Sequence, residues 1–268
     1  MLQRLARGEP VYSLGVRYSR TADIARIASM AAYDLIWVDL EHSSMPVDIA
    51  AQILACAHDL GLAGWVRVSE RDYGSIGRLL DCGAGGIIMP KVETAEQAER
   101  FAACCRFPPA GLRSMIARQP HDGFARMPAA DLMASANART VTQALIESPL
   151  GVRNADAIAA IEGIDMLAVG ANDLTAELGC PGDLAHPEFV RACETVADAA
   201  KRQGKIAVIG GVADSRQFSA MLAMGFAPLV FAGIDTDIVA DGLVARNADW
   251  RDRMPDIFTK TGATGGPQ

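Results

Sequence analysis

The sequence predicts an α/β chain closed into one (β/α)8 barrel, the TIM-barrel architecture, and three observations carry that reading. Eight short apolar runs alternate with stretches of helical periodicity. The run Leu35-Ile36-Trp37-Val38 is continuously apolar and leads into Asp39-Leu40-Glu41-His42. That pattern suits a parallel strand buried on both faces, whose C-terminal end opens on the catalytic side of a barrel. The 268 residues are also close to the roughly 250 typical of one such domain.

Taken in order, Tyr12 to Val16 reads as the first strand. Thr21 looks like the N-cap of a helix over Ala22 to Ala32, apolar at Ile24, Ile27, Ala28 and Ala31. Leu35 to Asp39 is the second strand. Pro46 suits a first helical turn, and the stripe over Val47 to Leu60 is closed by Gly61. Trp65 to Val68 is the third strand, Ile76 to Leu80 a short helix, and Gly86 to Met89 the fourth strand. Thr94-x-x-Gln97 is a capping-box pattern that opens a helix to about Cys105. The rhythm then breaks from Phe107 to about Pro128, and a loop of that length in a compact domain is usually functional. A short helix over Ala129 to Ala136 precedes the fifth strand, Thr140 to Ile146, which ends at Glu147. Asp156 to Ile161 is helical, and Met166 to Val169 is the sixth strand, running into Gly170-Ala171-Asn172-Asp173. Pro187 to Gln203 is a long helix, Ile206 to Ile209 the seventh strand, Ser215 to Met224 a helix, Leu229 to Ala232 the eighth strand and Asp237 to Ala245 the last clear helix. No linker divides these units, so residues 1–254 are expected to form a single domain, and 255–268, from Pro255, a disordered tail.

The formal net charge of -7 argues against a nucleic-acid or anionic-membrane partner. No apolar run approaches the roughly 20 residues of a membrane span. Met1 to Pro10, with Arg4, Arg7 and Glu9, lacks the apolar segment of a secretory signal. Cys56, Cys82, Cys104, Cys105, Cys180 and Cys193 form no C-x-x-C pair and suit small core residues in a reducing cytoplasm.

Polar residues collect at the C-terminal strand ends: Asp39 and His42, Arg67, Glu147 and Asp173. Two carboxylates there can hold a hard divalent cation, an arginine can stabilise an oxyanion, and a histidine can move a proton near neutral pH. Each also has a plainer reading. Glu147 or Asp173 could cap a helix or pair at the rim, Arg67 could simply pair with one of them, and His42 could be structural. His58 and His186 read as structural, while His121 lies in the long loop and could contact substrate. Gly83-Ala84-Gly85-Gly86 lacks the Lys-Ser/Thr of a phosphate loop. Lys91, after Pro90, is the only contender for a Schiff-base lysine.

The run Trp37-Val38-Asp39-Leu40-Glu41-His42 resembles the D-x-E-H signature of the metal-dependent pyruvate aldolases, the HpcH/HpaI aldolase family. That family includes 4-hydroxy-2-oxoheptanedioate and 2-dehydro-3-deoxyglucarate aldolases. The resemblance continues through Val66-Arg67-Val68, Leu79-Leu80-Asp81-Cys82-Gly83-Ala84, Met89-Pro90-Lys91-Val92, Phe107-Pro108-Pro109-Ala110-Gly111-Leu112-Arg113, Ile146-Glu147-Ser148, Val169-Gly170-Ala171-Asn172-Asp173-Leu174-Thr175 and Gly233-Ile234-Asp235-Thr236. It spans roughly Leu2 to Trp250. It implies a barrel of the phosphoenolpyruvate/pyruvate type and a class II aldolase that cleaves a 4-hydroxy-2-oxo acid to pyruvate and an aldehyde through a metal-stabilised enolate.

By position, the resemblance makes Glu147 and Asp173 the ligands of a divalent cation (Mg2+, Mn2+ or Co2+) and Asp39 an acid near the metal waters. Arg67 becomes the contact to the pyruvyl carbonyl and enolate oxygen, and His42 the histidine beside the reacting hydroxyl. Asp81 becomes an acid reaching a neighbouring subunit's histidine, in a homohexamer built as a trimer of dimers. The turn Gly170, Ala171, Asn172, Asp173 receives the substrate carboxylate. Two departures stand out. Gly170-Ala171-Asn172-Asp173 replaces a common Gly-Pro-Ala-Asp, and Ser114 replaces a glycine in a loop expected to border the site. Two rivals remain at this point. One is a decarboxylase or a citryl- or malyl-CoA lyase on the same scaffold, suggested by Asp173-Leu174-Thr175-Ala176-Glu177-Leu178-Gly179. The other is a non-catalytic metabolite-binding barrel.

Overall fold

The computed structural model describes residues 1–261, with side chains through Met254. Eight strands alternate with helices: β1 Val11–Val16, β2 Leu35–Asp39, β3 Ala63–Arg67, β4 Gly86–Met89, β5 Val141–Ile146, β6 Met166–Gly170, β7 Ile206–Gly210 and β8 Leu229–Ile234. All paired neighbours are parallel, in the order β7-β6-β5-β4-β3-β2-β1-β8. The two ends of this ladder nearly close on each other, and Ala227 N–H donates to Ala207 O at 2.7 Å where they meet. The chain is a (β/α)8 barrel, as its alternating pattern predicts.

The continuous apolar strands follow from two cores separated by one layer of backbone. Successive strand residues face opposite sides. Trp37, Trp65, Ile88, Leu145, Met166 and Val208 fill the barrel interior. Ile36, Val38, Val66, Ile87, Ile146 and Val169 pack outward beneath the helices. Asp39, Arg67, Glu147 and Gly170 each stand two residues beyond an inward-facing side chain on their strand, so their phase carries them over the mouth.

Several boundaries differ from expectation for local reasons. The second helix is Asp23–Met30 and has no side-chain cap, so Thr21 does not serve as one. The helix expected from Ile76 spans Tyr73–Asp81, because Asp72 accepts the N–H of Ser75 at 3.2 Å and starts it earlier. Thr94 caps as expected, while Gln97 Oε1 accepts from Glu93 N–H at 2.7 Å, one residue ahead of the cap. Three short helices went unmarked by periodicity, Leu2–Ala6, Pro149–Arg153 and Ala171–Glu177. Stretches this short give no helical stripe to read. The last helix is Asp235–Thr261, so residues 255–261 continue it where a disordered tail is expected to begin. Residues 262–268, the rest of that expected tail, lie outside the described residues. Among the described residues no helix is long and apolar enough to cross a membrane, and all six cysteines are free.

Candidate active site

A cavity of about 370 Å³ opens at the C-terminal mouth, and Arg17, Trp37, His42, Arg67, Glu147 and Asp173 line it. Its organising group is the carboxylate of Asp39, which is fully buried. Arg67 grips it with two bonds, Nε to Oδ1 at 3.0 Å and Nη2 to Oδ2 at 2.7 Å. Arg17 Nε adds a third at 2.9 Å, and the backbone N–H groups of Glu41 and His42 add two more. Burial disfavours the charged form of Asp39, but the bonds and charge of Arg67, helped by His42 N–H and Arg17, outweigh it and hold the carboxyl below its ordinary range. Arg67 Nη1 lies 3.3 Å from Glu41 Oε2, and the guanidinium stands over the Trp37 ring, 5.3 Å from its centroid.

Glu147 is 7 % exposed, and its Oε2 accepts from Lys91 N–H at 3.0 Å. Gly170 leaves room for it: a Cβ there would fall 2.5 Å from Glu147 Oε1. Burial, and after it the negative charges of Asp173 and Glu41, push the Glu147 carboxyl up to about 7 against the pull of Lys91 N–H and Arg67. Burial likewise raises Glu41. Lys91 Nζ pairs with Glu177 Oε1 at 3.0 Å and is not among the groups lining the cavity, a poor position for a Schiff base.

Among the described residues no three His, Cys, Asp or Glu side chains form a ready-made metal cluster. The donor set is instead two cavity carboxylates, Glu147 and Asp173, which repel each other through their charge. A hard divalent cation suits it, because such ions take oxygen ligands and keep places for water and substrate. The repulsion has a measurable consequence. A carboxyl raised from its usual value to about 7 favours the fold fully only while protonated, so its contribution is lost as pH rises from about 4.5 through 7. Urea unfolding of the metal-free protein is expected to show this decline relative to Glu147→Gln, reaching up to about 3 kcal/mol at pH 8. Equal pH slopes for the two proteins would count against a charged Glu147 in a repulsive setting.

His42 lines the cavity with its side chain 56 % exposed, Nε2 lying 3.7 Å from Glu41 Oε2. Gly170, Ala171 and Asn172 also line it. Asp81 does not. It ends the helix Tyr73–Asp81, where Oδ1 accepts from Arg113 Nη2 at 2.7 Å. The long loop is likewise absent from the cavity wall of its own chain. The N–H groups of Leu112 and Arg113 bond to Ala103 O (2.7 Å) and Arg106 O (2.9 Å) at the end of the helix Ala95–Cys105. Gly111 is required there, since a Cβ would meet Arg106 O at 2.4 Å. His121, a weaker candidate for a substrate contact, packs edge-on against His58 at 5.2 Å, with Arg139 tying Asp122 and Gln119 beside it. Ser114 therefore does not border this cavity within one chain.

Arg17, Gln143 and Asp237, none of them among the residues singled out from the sequence, also line the cavity. Arg17 carries the same signal as Arg67, a polar side chain directly after an apolar strand. Gln143 lies mid-strand, four residues before Glu147, and its Oε1 is buried without a partner.

The sequence profile described as HpcH/HpaI aldolase/citrate lyase matches residues 17–241. A 4-hydroxy-4-methyl-2-oxoglutarate aldolase of Chaetomium globosum is 34% identical over 220 residues, 81% of each chain. A 2-keto-3-deoxy-L-rhamnonate aldolase of Salmonella gallinarum is 34% identical over 234 residues, 86% of this chain and 85% of that one. The crystal structure of an HpcH/HpaI aldolase from Desulfitobacterium hafniense superposes with a TM-score of 0.84 at 27% identity, covering 92% of this chain and 94% of the other.

Proposed function

This chain belongs to the HpcH/HpaI aldolase/citrate lyase family and is a carbon–carbon lyase of the aldolase type, and from that premise we propose a class II reaction at the barrel mouth that cleaves a 4-hydroxy-2-oxo acid into pyruvate and a carbonyl product. The observation that carries the reading is the pair of cavity carboxylates, Glu147 and Asp173, beside an arginine fixed by a buried acid. Glu147 and Asp173 would hold a divalent cation, Mg2+, Mn2+ or Co2+, which when bound supplies Lewis-acid stabilisation of negative charge on the 2-oxo acid. Asp39 takes Nε and Nη2 of Arg67, and Nη1, which Glu41 approaches to 3.3 Å, is the donor that would reach the C2 oxygen as it gains charge. His42, exposed at the rim, is the group placed to take the proton from the C4 hydroxyl. The backbone from Gly170 to Asp173 receives the 2-oxo acid's carboxylate. The six free cysteines support a reducing compartment, the cytoplasm.

Deuterium exchange at C3 of pyruvate in D2O tests this reading, because it reports the pyruvyl half-reaction without any choice of acceptor. Exchange that requires a divalent cation, with aldol addition to a panel of aldehydes, is the expected result. Cleavage of citryl- or malyl-CoA without any pyruvate exchange would overturn it.

We also propose that the working unit is an oligomer, with Asp81 orienting His42 of an adjacent subunit in a trimer of dimers. The support is that His42 has an exposed ring and, among the described residues, pairs with no acid but Glu41, at 3.7 Å, while one oxygen of Asp81 is already held by Arg113. A carboxylate on the imidazole would set its tautomer and raise its basicity. Inactive His42→Ala and inactive Asp81→Asn chains are then expected to regain part of the activity when their subunits are mixed. A fully active monomer on gel filtration, or verified mixing without rescue, counts against the shared site.

A further inference from the structure

The two arginines at the mouth are not equivalent. Arg67 has a side chain only 12 % exposed, and its fork is shared between Asp39 and Glu41. Arg17 is 27 % exposed and spends a single donor, Nε, on Asp39. Among the described residues no protein acceptor takes a hydrogen bond from its Nη1 or Nη2, yet the side chain lines the cavity. The backbone turn that carries this side chain is anchored as well. The fully inserted Asp235, 3 % exposed, accepts from the backbone N–H groups of Arg17, Tyr18 and Ser19 at 2.8, 3.1 and 2.6 Å. An arginine with its backbone and Nε fixed and both Nη groups open loses little further freedom on binding a planar anion. The rest of the mouth argues for the same ligand. Of the other charged side chains lining it, Glu147, Asp173 and Asp237 are acids and Arg67 is paired with Asp39 and Glu41, so Arg17 is the cavity's one arginine with open donors among the described residues.

We propose that Arg17 is a specificity-determining residue of the acceptor half of the site, and that the substrate's variable end carries a carboxylate bound by Arg17 Nη1 and Nη2. The proposal rests on the 2-oxo acid reading above and adds the residue that would select, among 4-hydroxy-2-oxo acids, those with a second, distal carboxylate. Lysine at the same position would offer a point charge in place of the fork and so recover part of the preference.

The test uses the full chain with its divalent cation and two unreactive ligands of equal chain length, 2-oxoglutarate, which has a distal carboxylate, and 2-oxopentanoate, which lacks it. Calorimetry on the wild type is expected to favour 2-oxoglutarate by about 10- to 100-fold, the usual worth of a charge-assisted hydrogen-bonded contact. Arg17→Leu should bring the two affinities together and Arg17→Lys should leave an intermediate ratio. Because the ratio is taken within one protein, a general loosening of the mouth lowers both affinities and leaves it intact. Equal affinities in the wild type, a preference that survives Arg17→Leu, or an equal loss of both ligands in that variant would each overturn the assignment. A wild type that prefers 2-oxoglutarate yet never exchanges the C3 protons of pyruvate would sink the aldolase reading and leave the Arg17 assignment standing.

Discussion

Glu147→Gln and Asp173→Asn are each expected to lower divalent-dependent kcat/KM by about 10³-fold or more. Losing one of two carboxylates removes both a ligand and the charge that favours the cation, and Lewis-acid stabilisation of the transition state contributes several kcal/mol. The amide replacements keep the side-chain shape, so the loss reports charge and ligation. The structure adds a second expectation that separates function from folding. Glu147 is a buried carboxylate beside Asp173 and Glu41, and removing its charge relieves repulsion. Metal-free Glu147→Gln should therefore melt no lower than the wild type at pH 8 while being nearly inactive. Normal turnover by either variant in EDTA would remove the metal from the proposal altogether.

Arg67→Ala should cost roughly 2–4 kcal/mol of transition-state stabilisation, or about 10²–10³ in kcat. A rise in the Michaelis constant alone would reduce the arginine to a ground-state binder. Arg67→Lys should restore only part of the rate, because one ammonium cannot both hold the two oxygens of Asp39 and reach the substrate. The alanine variant also strips the buried Asp39 of its principal partner. Breaking a buried pair commonly costs about 3–5 kcal/mol, though here Arg17 and two backbone N–H groups remain on the carboxylate. Rates should thus be compared well below the variant's melting temperature. Asp39→Asn makes the useful companion: it keeps some of the bonds but frees Arg67 to drift, and it should impair kcat with little effect on cation affinity.

The barrel was legible because both of its cores are apolar, which turns most strands into nearly continuous apolar runs such as Leu35 to Val38. Asp39, Arg67 and Glu147 were legible because each terminates one of those runs in the inward phase. Arg17 obeys the same rule, ending its run as Arg67 does, and was equally legible. Gln143 could not be read at all, since a polar residue inside a strand gives no sign of facing a cavity. The long loop shows a different limit. Its motif Gly111-Leu112-Arg113 is a packing device against the helix Ala95–Cys105, and local sequence does not say at which end of a barrel a loop docks. Asp81 belongs to the same outer region, and its proposed role needs a second chain that no single-chain pattern contains.

The carboxylate of Asp235 reaches back 218 positions to the N–H of Arg17. During synthesis the first strand leaves the ribosome long before its anchor exists. A nascent chain that has completed β1 through β7 already contains Asp39, Arg67, Glu147 and Asp173, but the backbone of the turn bearing Arg17 still lacks its Asp235 anchor. Contacts of such long separation form late and slowly. The mouth can therefore acquire its final shape only after translation has passed β8, and a truncated product ending before Asp235 would carry most of the reactive side chains without a fixed Arg17 to complete them.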